Sequence, residues 1–485
     1  MIPLAEVRVL DANAEALGVP VSRLVENAGR GLAEHLRPVA GAGPVVVLVG
    51  PGNNGADGLV AARLLAAERV PVELLMPFHG EGWKSADAKR AFLSLPPQVK
   101  ASFDPDIQTV EAALGRATVI VDALLGAGLE GPLREPYAAW CGLLASAQAR
   151  VVAVDVPTGF AYVPRETLTF HDIKEGMTEQ NSGRIRVVDV GIPQEASLYT
   201  GPGEYLLYPE GKSEQHKGEG GIVLIIGGGP YTGAPAVAGM SALRAGADLA
   251  IILTPHRAWS VIASYSPNLV VRPLNGDDLN FDDPANRVTL ATWMKKAHSV
   301  VLGPGLGLMA STQKSVHHVL ERATRDGLPC VVDADALTAL AQRKDLLGPR
   351  MVLTPHAAEF RSLAGRELPR DPLARGAAAQ AAAKQHGATW LVKGPVDCIA
   401  QSERLKLNAT GHPAMSVGGT GDALAGVVGA LLAKKMTPFD AARLGARLAG
   451  DAGRIAAAQK SWGLVATDVV DALPTVLSQM LPRSF

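Results

Sequence analysis

Cysteine is scarce in this chain: Cys141, Cys330 and Cys398 are all there is among 485 residues, widely spaced and odd in number. That excludes a disulfide framework and a cysteine-held metal site, suits a reducing cytoplasm, and reads as three small buried apolar side chains. Net charge is missing too. With 46 Lys+Arg against 47 Asp+Glu the formal balance is -1, so the bulk electrostatics call for neither nucleic acid nor an anionic membrane, and a bound anion must be held by local geometry. Long apolar runs are absent: 45–49 and 222–226 are strand-sized, far below the ~20 residues of a membrane span. The N-terminus carries Asp11 and Glu15 rather than a basic start and an apolar stretch, so no secretory signal is expected there. Gly (52) and Pro (34) show no three-residue period, which excludes collagen, and 47% hydrophobic residues exclude a disordered chain.

What is present is alternation. Short continuous β-rich runs alternate with Ala/Leu-rich helical stretches, the pattern of an α/β protein whose mostly parallel strands are covered on both faces. At roughly 100 to 200 residues per domain the length fits two or three. One polar, Gly- and Pro-rich break, Gly201 to Gly221, precedes a fresh apolar strand, which predicts two domains, 1–208 and 214–485, with the boundary near Pro209 to Gln215. The glycine motifs of the halves differ, so different folds are expected. The Ala-rich stretch 376–388 reads as a surface helix.

The run 45–49 enters Gly50, Pro51, Gly52, Asn53, Asn54, Gly55, Ala56, Asp57, Gly58 and then a helical pattern. A strand, a tight turn and a helix start present unpaired N–H groups and a positive dipole end to an anion. The spacing formally satisfies G-x-G-x-x-G, and Glu73 lies at about the offset of a ribose-binding acid. That motif by itself is also what a structural turn looks like. Two more strand ends, Asp122 before ALLGAGLEGP and Asp155 before VPTG, place acids just past strands. Carboxyl ends of parallel strands share one edge, so the three loops should meet in one crevice; as plain turn or cap residues these acids need no chemistry.

The set LVENAGRGLAEHL, GPGNNGADGLVAARLL, VDALLGAGLEGP and VDVPTG resembles the NAD(P)H-hydrate epimerase domain, a Rossmann-like three-layer fold, over roughly the first 208 residues. The resemblance implies that Asn53, Asn54, Gly55, Ala56 and Asp57, the stretch Gly126, Ala127, Gly128, Leu129, Glu130, Gly131 and Pro132, and Asp155 contact the hydrated dinucleotide. It implies a potassium ion among Asn54, Asp122 and Thr158, all oxygen donors suited to a hard cation. Inversion at C6 of the damaged ring by loss and return of water needs a carboxylate to move protons, with Asp122 or Asp155 the candidates. The chain departs from the family at Ala56 and Thr158, where glycine and serine are usual, and in a shortened segment after Gly159.

In the second half, strands ending at 226, 302 and 332 lead into GGGPYTGA, GPGLG and DADAL. The strongest signal is Gly418-Gly419-Thr420-Gly421-Asp422 entering an apolar helix: glycines let backbone N–H groups form an anion hole, and Asp422 can take a proton from a hydroxyl attacking phosphorus. The alternative is an N-cap aspartate without chemistry. His356 reads equally as a satisfied histidine, and Lys393, before a glycine at a strand end, as a phosphate contact.

GGTGD with GPGLG and TPHAAEF resembles the ribokinase-like superfamily. HKGEGGIVLIIGG, LVKG and NATGHPAMSVGGTGD are similar within it to the NAD(P)H-hydrate dehydratases, over nearly all of 216–485. The resemblance implies that Ala234, Gly305, His356 and Asp422 contact the hydrate while Lys393, Gly394, Pro395, Val396, Asp397 and Gly421 hold an adenine nucleotide, ADP in the microbial fused form, with Mg2+. It also implies a homo-oligomer, alongside the cytoplasmic location and the lack of a nucleic-acid or membrane partner expected from cysteine usage and charge. The whole then reads as a bifunctional repair enzyme. Two rivals stay open: a ribokinase-like small-molecule kinase with an accessory dinucleotide domain, and an N-terminal dinucleotide-sensing or partner-binding module without epimerase activity.

Overall fold

A computed structural model describes residues 1–41, 43–129, 131–209, 216 and 218–481. The chain forms two compact units, Met1–Ala196 and Ser197–Phe485. The division falls ahead of the 208–214 boundary expected from composition, and the cause is local. Residues 197–208 are tied into the second unit: Thr200 Oγ1 donates to Asn408 at 2.7 Å, the Tyr205 hydroxyl to Asp451 at 2.8 Å. Glu204, fully buried, lies 3.5 Å from Arg443 and 3.7 Å from Lys406. The polar stretch 210–215, where the boundary was expected, lies outside the described residues.

The first unit is a sheet of seven parallel strands: β1 (Val45–Val49), β2 (Val72–Met76), β3 (Lys100–Phe103), β4 (Val119–Ala123), β5 (Arg150–Val154), β6 (Glu166–Phe170) and β7 (Arg184–Val188), in the order β3-β2-β1-β4-β5-β6-β7. Alternate side chains of one strand serve two cores. Val45, Val47 and Val49 pack with the helices Val21–Leu36 and Asn53–Ala67, while Val46 and Leu48 pack with Trp140 and Leu144 on the other face. Every β1 residue is buried, hence the unbroken apolar run. The order reverses between β1 and β4, which opens a crevice at their carboxyl ends.

The second unit holds nine strands: β8 (Ile222–Ile226), β9 (Leu249–Pro255), β10 (Leu269–Leu274), β11 (Ser299–Leu302), β12 (Cys330–Val332), β13 (Met351–Leu353), β14 (Thr389–Val392), β15 (Asp397–Gln401) and β16 (Arg404–Asn408). Their order is β10-β9-β8-β11-β12-β13-β14-β15-β16, parallel through β14 and closed by an antiparallel hairpin. This order too reverses, between β8 and β11. Helices cover both faces, and the helix Thr420–Ala433 is buried from Ala423 to Ala433. Glycine lets it approach: a Cβ at Gly426 would stand 2.0 Å from the Ala238 carbonyl oxygen.

Two expectations need adjusting. The Ala-rich helix, Pro372–His386, is not merely a surface element: Ala379, Ala382 and Ala383 are buried in the core. Glu73 is the second residue of β2, away from the carboxyl edge, and pairs with Arg116 at 2.6 Å, so it is no ribose ligand. The cysteines are free and buried, and desolvation pushes the Cys141 and Cys330 thiols up to about 12 and Cys398 to about 11.

Candidate active sites

In the first unit the loops after β1, β4 and β5 converge as their shared edge requires. A Cβ at Gly50 would fall 1.6 Å from the Leu124 carbonyl oxygen, and one at Gly55 1.9 Å from that of Gly50, so glycine is what allows the β1 turn to close against the β4 loop. Asn53, Asn54, Gly55, Ala56 and Asp57 form the first turn of helix Asn53–Ala67. Asn53 accepts a hydrogen bond from Ser85. Asn54 is different: its side-chain oxygen and nitrogen are both buried with no hydrogen-bond partner, and a Cβ at Gly126 would stand 3.1 Å from that oxygen. An unpartnered buried amide is costly and marks a place prepared for a ligand. Gly126, Ala127, Gly128 and Leu129 follow β4, Gly131 (φ 80°) and Pro132 come next, and Glu130 lies outside the described residues.

Asp122, at the end of β4, is wholly buried and wholly engaged. Its Oδ1 accepts from the Thr158 hydroxyl at 2.8 Å and the Leu124 N–H at 3.1 Å; its Oδ2 accepts from the Tyr162 hydroxyl at 2.6 Å and the Thr158 N–H at 3.0 Å. Burial raises its pKa against those four donors. Asp155, one residue past β5 at φ 64°, is held by a salt bridge to Lys174, itself 1% exposed and bonded to Thr169 Oγ1 at 2.9 Å and the Phe170 carbonyl at 2.7 Å. The contacts of Asp155 run to Oδ1, leaving Oδ2 without a partner among the described residues. Asp57 and Asp11 share this neighbourhood. Burial and then Asp155 push the Asp57 carboxyl well up and Asp11 to about 6, while Lys174 pulls both down.

In the second unit the Gly227 and Gly303 loops meet at the switch point: the Gly228 N–H donates to the Pro304 carbonyl at 2.8 Å, and a Cβ at Gly305 (φ 70°) would stand 3.4 Å from that of Ala234. Next along the edge come Asp333 after β12, His356 after β13 and Lys393 after β14. The Lys393 ammonium sits 2.9 Å from Asp333 Oδ1 and only 3.2 Å from where a Cβ at Gly421 would be, so it lies against the first turn of helix Thr420–Ala433. Asp422, in that turn, is half-buried and accepts no hydrogen bond among the described residues. Its carboxyl is pushed up to about 7, first by burial and then by Asp333, with Lys393 opposing and Asp335 adding.

A family model described as NAD(P)H-hydrate dehydratase matches residues 222–475, and one described as YjeF-related protein N-terminus matches 21–176. A curated bifunctional NAD(P)H-hydrate repair enzyme from Hyperthermus butylicus is 38% identical over 98% of this chain and 92% of its own. Another, from Pyrobaculum aerophilum, is 38% identical over 97% of each. The chain belongs to the bifunctional NAD(P)H-hydrate repair enzymes. A solved ribokinase-like superfamily protein from Enterococcus faecalis, 25% identical, superposes on 58% of this chain and 96% of its own with a TM-score of 0.51, in keeping with the second fold.

Within this repair enzyme the structure gives some expected contacts other work. His356 caps helix Ala357–Ala364: its Nδ1 accepts from the N–H groups of Ala358 (3.1 Å) and Glu359 (3.3 Å), leaving only Nε2, 3.4 Å from Glu359 Oε1, for a ligand. Asp397 is spent on its own hairpin, accepting from the Gly394 N–H and from Asn408 at 3.0 Å each; Pro395 and Val396 complete that turn. Sequence reading missed Tyr162, Lys174, Asp11 and Asp333. Tyr162 lies in the shortened segment after Gly159, which still reaches the site through it. Asp333 stood in view in DADAL, but only the fold puts Lys393, sixty positions on, beside it.

Proposed function

We propose that the two units act in series on hydrated NADH or NADPH: the first interconverts the R and S hydrates, and the second dehydrates the S form with ADP, giving AMP and phosphate. The observation that carries the second step is Asp422, a half-buried carboxylate without a hydrogen bond among the described residues, in the first turn of the glycine-rich helix, with Lys393 fixed across that turn. Hydroxide leaves poorly. Asp422 therefore takes the proton of the C6 hydroxyl as its oxygen attacks the terminal phosphorus of ADP, AMP departs, and Lys393 and the Gly418–Gly421 amides stabilise the charge of the transferring group. The ring-nitrogen lone pair then expels phosphate, and loss of the C5 proton restores the dihydronicotinamide. Among the described residues no three carboxylate, His or Cys side chains gather into a metal cage, so magnesium would be held chiefly by nucleotide phosphates, whose charge it neutralises.

In the first unit Asp155 is the better acid–base group, because it keeps a free oxygen where Asp122 has none. Asp122 instead fixes Thr158 and Tyr162. A potassium ion fits at the Asn54 amide oxygen, unpartnered among the described residues; Thr158 and Asp122, hydrogen-bonded to each other in the same loop cluster, would each have to exchange a hydrogen bond for the cation. When bound, potassium would order these loops.

The test is to incubate mixed R and S hydrates with the enzyme, Mg2+, K+ and either ADP or ATP, following recovery of reduced nicotinamide. Full recovery with ADP is expected. Recovery that stops when the S form is spent would remove the epimerase step, and a stable phosphorylated product would favour a kinase.

A further inference from the structure

Asp333 is used by none of the steps above. It follows β12, is 1% exposed, and its Oδ1 accepts both the Lys393 ammonium at 2.9 Å and the Thr354 hydroxyl at 2.7 Å. The ends of three adjacent strands, β12, β13 and β14, thus meet on one carboxylate oxygen. A Cβ at Gly303 would lie 1.8 Å from the Asp333 carbonyl oxygen, so the residue's backbone is also locked against the neighbouring β11 loop. Lysine has four rotatable bonds and would not by itself hold one position. Here the amine is pinned where it touches the turn carrying Asp422 and Gly421.

We propose that Asp333 is a positioning residue for dehydration, holding the Lys393 ammonium against the first turn of helix Thr420–Ala433 so that one cation is fixed beside both the base and the transferred phosphoryl group. It rests on the reading of Asp422 as base. The charged groups that face Asp422 are Asp333, Asp335 and Lys393, with Glu359 approaching Lys393 from helix Ala357–Ala364 and His356, the cap of that helix, beside Glu359. Asp333 raises the Asp422 carboxyl more than Lys393 lowers it, so removing the Asp333 charge moves the ionisation of the base to lower pH, a shift that release of Lys393 offsets only in part.

The experiment is the pH profile of dehydration by full-length Asp333→Asn. Loss of a charge-assisted hydrogen bond predicts about a tenfold rise in KM for ADP, with the acid limb of kcat displaced to lower pH. A variant that melts earlier yet keeps both KM and acid limb would make Asp333 structural and overturn the proposal. Should Asp333→Asn fail to fold, Asp333→Glu decides: it keeps the charge and shifts the carboxylate by one methylene, so the limb stays and the ADP KM rises, whereas an unchanged KM overturns the proposal. Failure of the underlying reading looks different, since Asp422→Asn would then still turn over.

Discussion

Asp122 and Asp422 both read as acids close to a Gly-rich loop, the one at the end of a parallel strand and the other in the first turn of a helix, and the fold gives them opposite lives. Asp122 is sealed in and accepts four hydrogen bonds; Asp422 accepts none among the described residues and faces a pinned cation. A carboxylate whose lone pairs are all engaged can orient loops but cannot take a proton without breaking something. One without donors is raised by burial and like charges to the range where a general base works. Motif alone does not separate the two roles. Counting donors does.

The sharpest way to break this contrast is Asp422→Asn. General-base removal should lower dehydration by about a hundredfold to ten-thousandfold while epimerisation is untouched. Stability supplies an independent sign. The folded Asp422 carboxyl titrates at about 7 against 3.8 for the ordinary value, so its contribution is fully present below 3.8 and lost as pH rises through about 7. The asparagine variant should therefore unfold with the wild type near about pH 4 and be the more stable near about pH 8, by at most about 4 kcal/mol. Thermal melts at the two pH values check it; equal stability at the higher pH would mean that the carboxyl is not strained by its site.

Next comes Asp155, whose carboxylate keeps one oxygen without a donor among the described residues. Asp155→Asn should cut interconversion of the hydrates by about a hundredfold or more, but it also strands the Lys174 ammonium, 1% exposed, at a cost of about 3–5 kcal/mol. The double variant Asp155→Asn, Lys174→Met removes both charges and should recover most of that stability without recovering epimerisation. Regained activity in the double variant would take Asp155 out of the chemistry.

Much of this was legible in the sequence. Continuous valine and isoleucine runs announced doubly covered parallel strands, and the Gly-rich turns at Gly50, Gly227 and Gly303 fell where the chain leaves a strand. The switch points were not legible, because strand order depends on crossovers and not on any local pattern. For the same reason Asp333 and Lys393 read as separate signals until β12 and β14 were seen one strand apart. The unit boundary was misplaced because composition marks the polar stretch at 210–215, whereas burial of Glu204 against Arg443 and Lys406 decides which unit owns the preceding residues.

Asp122→Asn sharpens the contrast from the sealed side. An amide keeps the shape but replaces one accepting oxygen with a donor, setting it against the Tyr162 hydroxyl or the Thr158 N–H. The first unit should lose about 1–3 kcal/mol, and epimerisation should fall through disordered loops, so that kcat drops and raising K+ restores part of it. An unaltered melting temperature would mean that the four bonds are not what holds these loops.

The smallest effect expected is the most diagnostic for the shortened segment after Gly159. Tyr162→Phe deletes one donor, 2.6 Å from Asp122 Oδ2, and leaves that oxygen still bonded to the Thr158 N–H. Because the carboxylate is partly satisfied rather than orphaned, the cost should be about 1 kcal/mol, read as a small fall in melting temperature. Burial and the nearby Asp122 charge hold the Tyr162 hydroxyl protonated well above its ordinary range, so the effect should be the same from neutral to mildly alkaline pH. A loss that grew with pH would show the phenol ionising, and Tyr162 would then belong with the acid–base groups of the first unit instead of with its scaffold.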